Sequence, residues 1–292
     1  MFVFKAAVVG AGVMGGEIAQ VIAAADVPVV LKDVDRRFVD KGLEKARAVT
    51  QGQAAKLVER GRATQEEAAE QVERTLARIT PATSYDAFGD VDFVVEAVPE
   101  RMEVKHDVFA ELDACTPGHA ILASNTSGLS ITEIGDAVSD DRRARIVGFH
   151  FFWPASVMRL VEVVEGEDTA PETAQAAANF AQQIKKLPIR CGECPGFVVN
   201  RVLTAMASEV WRYQDESGVA VEAIDEALQR SGVTPMGPFR LSDMTGLDTT
   251  LKVAQDLRDA YGPERFHVHA GMERLVAEGN LGAKTGKGFY EH

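Results

Sequence analysis

A glycine-rich turn set between an apolar run and a helical pattern constrains this chain more than any other feature. Lys5, Ala6, Ala7, Val8 and Val9 form a short apolar run that predicts a buried strand. Gly10, Ala11, Gly12, Val13, Met14 and Gly15 follow at once, and residues 16–23 then read as a helix. This is G-x-G-x-x-G in a strand–turn–helix context. The first glycine makes the tight turn, the second lets a pyrophosphate approach the backbone, and the third lets helix and strand pack closely. The phosphates would rest on the helix N-terminus. A second apolar strand, Val29, Val30, Leu31 and Lys32, ends at Asp33, about 20 residues past the turn, where an acid hydrogen-bonds the ribose of an adenosine. Asp33 disfavours a 2′-phosphate by charge, which favours NAD over NADP. Arg36 and Arg37 read as a solvated helix start.

The rest of the chain extends this pattern. Strands and helices alternate from residue 4 to about 190, which predicts a parallel, doubly wound sheet. Residues 93–97 and 120–123 are further buried strands, and the switch-point rule puts a ligand beyond their C-terminal ends, at 96–100 and 124–127. A polar, helix-rich stretch over 40–79, with Gly61 in its middle, predicts a helical hairpin. After Pro195 the pattern becomes helical. Val198, Val199, Val202, Leu203, Met206, Val210 and Trp211 recur at helical spacing. Helices are predicted over 198–217, 221–230, 247–261 and 271–278, with Gly/Pro loops such as 234–238 between them. The expectation is an α/β Rossmann-like doubly wound domain with a helical-hairpin insertion over 1–192, and an all-α domain over 193–292. Trp211 and the apolar positions beside it are expected in a core or a dimer contact.

A third pattern adds chemistry. Gly148, Phe149, His150, Phe151, Phe152, Trp153 and Pro154 form one motif, and Glu162 falls inside a second apolar run. A histidine held by a carboxylate can serve as a general base, because the acid fixes the imidazole tautomer and stabilises the imidazolium after proton uptake; on these two residues alone, His150 reads rather as a core histidine and Glu162 as a strand-edge charge.

Together these motifs make the chain resemble the short-chain L-3-hydroxyacyl-CoA dehydrogenase family of fatty-acid β-oxidation. The likeness covers nearly the whole chain. It includes Glu96 to Glu100 as Glu-Ala-Val-Pro-Glu, Ser124 to Ser127 as Ser-Asn-Thr-Ser, a Pro-Gly-Phe-Val-Val-Asn-Arg run ending in Arg201, and a Lys-Thr-Gly-Lys-Gly-Phe-Tyr run starting at Lys284. The resemblance implies NAD-dependent oxidation of (S)-3-hydroxyacyl-CoA to 3-oxoacyl-CoA, or the reverse. It makes His150 the base, Glu162 its orienting partner, and Ser127 and Asn200 hydrogen-bonding groups near the reacting oxygen or the thioester carbonyl. Gly10, Gly12, Val13, Met14, Gly15, Asp33, Glu100, Lys105, Ser127 and Lys284 become the expected cofactor contacts, and the 40–79 hairpin the expected docking arm for CoA. The resemblance also implies a homodimer through the C-terminal domain. The chain departs from the family at two places. Trp153 stands where the family carries an asparagine that contacts the nicotinamide half of the cofactor. Gln53 aligns with a CoA-binding lysine, and Lys56 lies one helical turn on.

Composition sets the outer limits. The 292 residues suffice for two domains with substantial cores. The net charge of −13 argues against a nucleic-acid partner. No run of transmembrane length is present, the first strand starts too early for a targeting peptide, and three cysteines argue for a reducing compartment, so a cytoplasmic enzyme without a membrane partner is expected. Cys191 and Cys194 form a lone C-x-x-C that reads as incidental. No metal is expected. Two other readings remain: a superfamily dehydrogenase of a small hydroxy acid without CoA, and a non-catalytic member impaired at Trp153.

Overall fold

A computed structural model describes residues 2–292. The chain divides into two compact units, with the division between Glu193 and Cys194. The first holds eight strands: β1 (Ala6–Val9), β2 (Val29–Lys32), β3 (Ile79–Ala82), β4 (Phe93–Glu96), β5 (Ile121–Ser124), β6 (Ile146–Phe151), β7 (Leu160–Glu165) and β8 (Leu187–Gly192). Its helices are α1 (Val13–Ala24), α2 (Arg36–Glu59), α3 (Gln65–Leu76), α4 (Met102–Cys115), the short α5 (Ile131–Gly135) and α6 (Asp140–Arg143), and α7 (Pro171–Gln183).

The strands form one sheet in the order β3-β2-β1-β4-β5-β6-β7-β8. Strand order reverses between β1 and β4, so the switch point lies at their C-terminal ends. Residues of β1, β2, β4, β5 and β6 are buried throughout, as continuous apolar strands covered on both faces should be. Phe93, Phe149 and Phe180 meet within the core at ring-centroid distances of 4.5–5.9 Å. The edge strand β3 was missed by sequence reasoning. Its Pro81 cannot donate to a ladder, which confines such a strand to an edge.

The sheet corrects one expectation. It is parallel only from β3 to β6; β7 runs antiparallel to β6, and β8 runs parallel to β7. The cause is the eight-residue link 152–159, too short for a crossover helix.

The hairpin forms as α2 and α3, starting at Arg36 rather than Asp40. Asp35 caps α2 by accepting from the Arg37 amide, and Thr64 and Glu67 make a capping box for α3. Ala54, Ala68 and Val72 join Val58 and Leu76 in a small apolar cluster between the two helices.

The second unit is helical: α8 (Val199–Ser217), α9 (Val221–Arg230), α10 (Pro238–Thr245), α11 (Leu247–Tyr261) and α12 (Ala270–Ala277), followed by a 3₁₀ turn at Ala283–Thr285. Its core gathers Trp211, Ile224, Phe239, Leu247, Leu251, Ala254 and Met272. Helix α10 was not foreseen, because the Gly237-Pro238 pair that reads as a loop serves as its N-terminus, with Pro238 in the first turn. Buried Asp225 accepts from the amides of Phe239 and Arg240 at that end.

Candidate active site

The glycine-rich turn has the shape its spacing implies. Gly10 has φ +98°, and a Cβ there would lie 2.5 Å from the Ala97 carbonyl oxygen. A Cβ on Gly15 would lie 1.7 Å from the Gly10 oxygen, so helix and turn touch. At Gly12 a Cβ would meet nothing within 4 Å, so open space lies before the N-terminus of α1. Among the described residues, no side chain caps that end. Uncapped amides facing open space suit a pyrophosphate. Exposed Val13 and half-buried Met14 begin the helix beside it. Asp33, just past β2, accepts from the Ala11 amide at 2.7 Å, which ties the acid to the turn. These residues fit a dinucleotide.

The ends of β4 and β5 carry a linked set of charges. Glu96, fully buried, accepts from the Lys105 ammonium at 2.8 and 2.9 Å, the Ser124 hydroxyl at 2.6 Å and the Val98 amide at 2.7 Å. Lys105 also pairs with Glu100 at 3.2 Å. Glu100 accepts from the Thr126 hydroxyl at 2.6 Å, and from the Ser127 amide and hydroxyl at 2.9 and 3.2 Å. Burial works against the Glu100 carboxylate, but the Lys105 ammonium and these donors outweigh it and hold its pKa below the ordinary glutamate value. Lys105, expected as a cofactor contact, is instead engaged within its own domain. Its side chain is 1% exposed, and its ammonium binds two carboxylates of its own domain.

His150 and Glu162 sit opposite each other in the β6–β7 register. Directly opposed residues of an antiparallel pair share a face, with Cβ atoms about 5 Å apart. That brings His150 Nδ1 to 2.8 Å from Glu162 Oε2. Both side chains are nearly excluded from solvent, at 8% and 1% exposure. An ionised carboxylate only accepts, so Nδ1 carries the proton and Nε2 is the basic nitrogen of neutral His150. The Asn125 amide oxygen accepts from the Phe151 amide at 2.9 Å, tying the end of β6 to the loop after β5. Trp153, on the link that follows, is 53% exposed.

Asn200 and Lys284 belong to the second unit. Asn200 is the second residue of α8. Lys284 lies in the 3₁₀ turn, where its ammonium pairs with Asp248.

Models of two domains match this sequence in tandem: "3-hydroxyacyl-CoA dehydrogenase, NAD binding domain" over residues 5–194, and "3-hydroxyacyl-CoA dehydrogenase, C-terminal domain" over 196–292. The chain belongs to the 3-hydroxyacyl-CoA dehydrogenase family. Its first unit is accordingly an NAD-binding domain, and the protein is an NAD-dependent dehydrogenase of that family. A probable 3-hydroxybutyryl-CoA dehydrogenase of Deinococcus radiodurans is 38% identical over 288 residues, covering 99% of this chain and all of that one. The human mitochondrial hydroxyacyl-coenzyme A dehydrogenase is 39% identical, covering 98% of this chain and 90% of that protein. The crystal structure of (S)-3-hydroxybutyryl-CoA dehydrogenase from Ralstonia eutropha superposes with a TM-score of 0.90 at 35% identity, over 100% of this chain and 99% of that one.

Within this dehydrogenase, sequence reasoning gave Glu96, Thr126 and Asn125 no roles of their own. Glu96 did leave a signal, a carboxylate closing the otherwise apolar run Phe93–Glu96. Among the described residues, no helix is long and apolar enough to cross a membrane.

Proposed function

We propose that the protein interconverts (S)-3-hydroxyacyl-CoA and 3-oxoacyl-CoA, with His150 as general base and Glu162 as the group that orients it. The observation that carries this reading is the 2.8 Å contact between His150 Nδ1 and Glu162 Oε2, buried and set by strand register. The carboxylate holds Nδ1–H, so Nε2 receives the proton of the C3 hydroxyl, and the resulting imidazolium is stabilised by the charge behind it. Bound NAD supplies the acceptor for the hydride leaving C3. Gly10, Gly12, Val13, Met14 and Gly15 receive its pyrophosphate, and Asp33 accepts from the adenosine ribose. Glu100 and Ser127, at the ends of β4 and β5, lie on the far side of the switch point from Asp33 and serve the other half of the cofactor, with Lys105 holding Glu100 in place.

Asn200, with Ser127, is assigned to hydrogen bonding at the reacting oxygen or thioester carbonyl, where negative charge develops. Lys284 is assigned to the cofactor on the family resemblance, by exchange from Asp248. The names of its relatives favour short acyl chains such as 3-hydroxybutyryl-CoA. A homodimer through the second unit is supported by α8, where Val202, Leu203, Met206 and Tyr213 are about half exposed at helical spacing. Beside Tyr213 an apolar groove runs past Val210, Val219, Ala223, Ile224 and Leu228. A cytoplasmic location completes the proposal.

Incubation with acetoacetyl-CoA and NADH, followed at the NADH absorbance, tests the activity. Steady consumption that requires the CoA thioester and is not reproduced by free acetoacetate supports it. Absence of turnover with any 3-oxoacyl-CoA, or equal turnover of the free acid, overturns it.

A further inference from the structure

One buried charge is left unused by the reaction as drawn. Glu17 lies in the second turn of α1, immediately after the glycine-rich turn, and is 1% exposed. A bare buried carboxylate is costly, and one on a helix packed against a sheet needs partners. Glu17 has them on two sides. Its Oε1 pairs with the Lys45 ammonium of α2 at 3.0 Å. Its Oε2 accepts from both the amide and the hydroxyl of Ser156 at 3.2 Å. Ser156 belongs to the link 152–159 between the His150 strand and the Glu162 strand. A second buried charge grips the same link from β8's side: the Lys186 ammonium donates to the carbonyls of Ala155 at 2.5 Å and Met158 at 2.7 Å. Burial holds the Lys186 ammonium below the ordinary lysine pKa, with Glu17 acting in the opposite sense.

The topology says what such a clamp would control. Asp33 at the end of β2 marks the adenosine side of the switch point, and β6 lies on the other side. The link at the C-terminal end of β6 therefore borders the half of the dinucleotide where hydride transfer takes place. We infer that Glu17 is a positioning residue for that transfer: it fastens the 152–159 link, and Trp153 with it, to the phosphate-binding helix α1, and through Lys45 to the α2–α3 hairpin. Glu17 touches neither substrate nor reacting atoms; it acts through Ser156.

The inference rests on the dehydrogenase reading, and its test keeps the two separable. The chain has two tryptophans, Trp153 and Trp211. Trp211 is 2% exposed, and its indole N–H is buried without a partner among the described residues, so Trp211→Phe removes an unsatisfied donor and leaves Trp153 as the sole reporter. In that background Glu17→Gln, Glu17→Ala and Ser156→Ala are compared by acrylamide quenching of Trp153, by calorimetric titration of ADP-ribose and NADH, and by kcat and KM. Glu17→Gln keeps an acceptor for Ser156 and loses the Glu17 charge, with its pairing to Lys45 and its pull on Lys186.

Glu17→Ala and Ser156→Ala are expected to raise the quenching constant of Trp153 without cofactor present. They should weaken NADH several-fold with ADP-ribose unchanged within about twofold, and lower kcat about tenfold, the worth of one hydrogen bond to a charged acceptor. Glu17→Gln should recover most of kcat. Native quenching and kinetics accompanied only by a lower unfolding midpoint would make Glu17 a packing residue and overturn the inference. Equal weakening of ADP-ribose and NADH would also overturn it, by placing the effect on α1 alone. Should Glu17→Ala not fold, Ser156→Ala decides by the same outcomes. Failure of the unsubstituted protein to bind NADH would instead fault the functional reading, while the quenching comparison would still report on the clamp.

Discussion

Replacement of Glu162 by glutamine isolates what the carboxylate does for His150. The two groups meet at 2.8 Å with almost no solvent, and Glu162→Gln preserves shape and volume. What is lost is the charge, and with it a charge-assisted hydrogen bond worth about 1.5–3 kcal/mol. That bond strengthens when His150 becomes an imidazolium, so the loss falls on the transition state. At about 1.4 kcal/mol per tenfold, kcat should fall roughly 10- to 150-fold. The amide can also turn its NH₂ toward Nδ1 and favour the wrong tautomer, which pushes the effect to the upper end. His150→Gln removes the base itself and should cost about 10²–10⁴-fold. Neither change touches the glycine-rich turn, so NAD affinity should stay within a few-fold of the unsubstituted value. The assay is NADH consumption with acetoacetyl-CoA across pH, paired with calorimetric NAD titration. Near-native turnover of His150→Gln, or a Glu162→Gln rate within threefold of the original, would refute the assignment. So would a loss of rate that tracks a loss of NAD binding.

Trp153→Asn should tighten NAD or raise turnover while leaving ADP-ribose affinity unchanged, a gain on the order of 0.5–1.5 kcal/mol if one hydrogen bond is restored; weaker NAD binding by calorimetry would make the tryptophan a packing element of an adapted pocket. Lys105→Met strands the buried Glu96 carboxylate and should lower stability by about 3–5 kcal/mol in urea unfolding. His269 caps α12 by accepting from the Met272 amide through Nδ1, with Nε2 2.6 Å from the Gln214 side-chain oxygen, so the cap needs the neutral ring. Burial lowers its pKa, against the pull of Asp215. The unfolded chain then takes up the proton first, and stability present above pH 6.5 is lost as pH falls from there toward the lower folded value. His269→Asn, which caps without titrating, should flatten the dependence of the thermal midpoint on pH in that window. Met206→Glu, on the exposed stripe of α8, should turn a dimer into a monomer by light scattering, and a monomeric parent protein would rule the dimer out.

Much of this was legible from sequence because the relevant signals are local. The glycine-rich turn is specified by adjacent residues, and the α8 and α11 helices by unbroken 3.6-residue periodicity, so these elements form where spacing puts them. Position within a strand also carried information: the strand-end rule pointed to Asp33 and to the stretches 96–100 and 124–127, within which the family resemblance singled out Glu100 and Ser127. The signals that failed are non-local. Helix α10 depends on Asp225, a residue of α9, to satisfy its first amides, and nothing near Pro238 announces that partner. Glu17 reads as an ordinary polar residue of a helix until the sheet brings Ser156 beneath it. Lys105 looks like a surface charge on α4 until Glu96 and Glu100 close around it.

The antiparallel turn of the sheet was a different kind of failure, because the information was present. A parallel crossover needs a dozen or more connecting residues, and the two apolar runs are joined by eight. A hairpin is then the only connection that fits, and it has a consequence for the chemistry. In an antiparallel pair each residue faces one partner, and the register that sets Gly148 against Val164 also sets His150 against Glu162. The side chains alternate in step from both strands, so a base and an acid placed opposite each other share a face at a distance an imidazole and a carboxylate can span. A slip of one residue in either strand would send the two groups to opposite faces of the sheet. The dyad is therefore held by the same ladder and the same apolar neighbours, Phe149, Phe151, Val161 and Val163, that hold the core. The ladder that builds the core therefore also sets the distance between His150 Nδ1 and Glu162 Oε2.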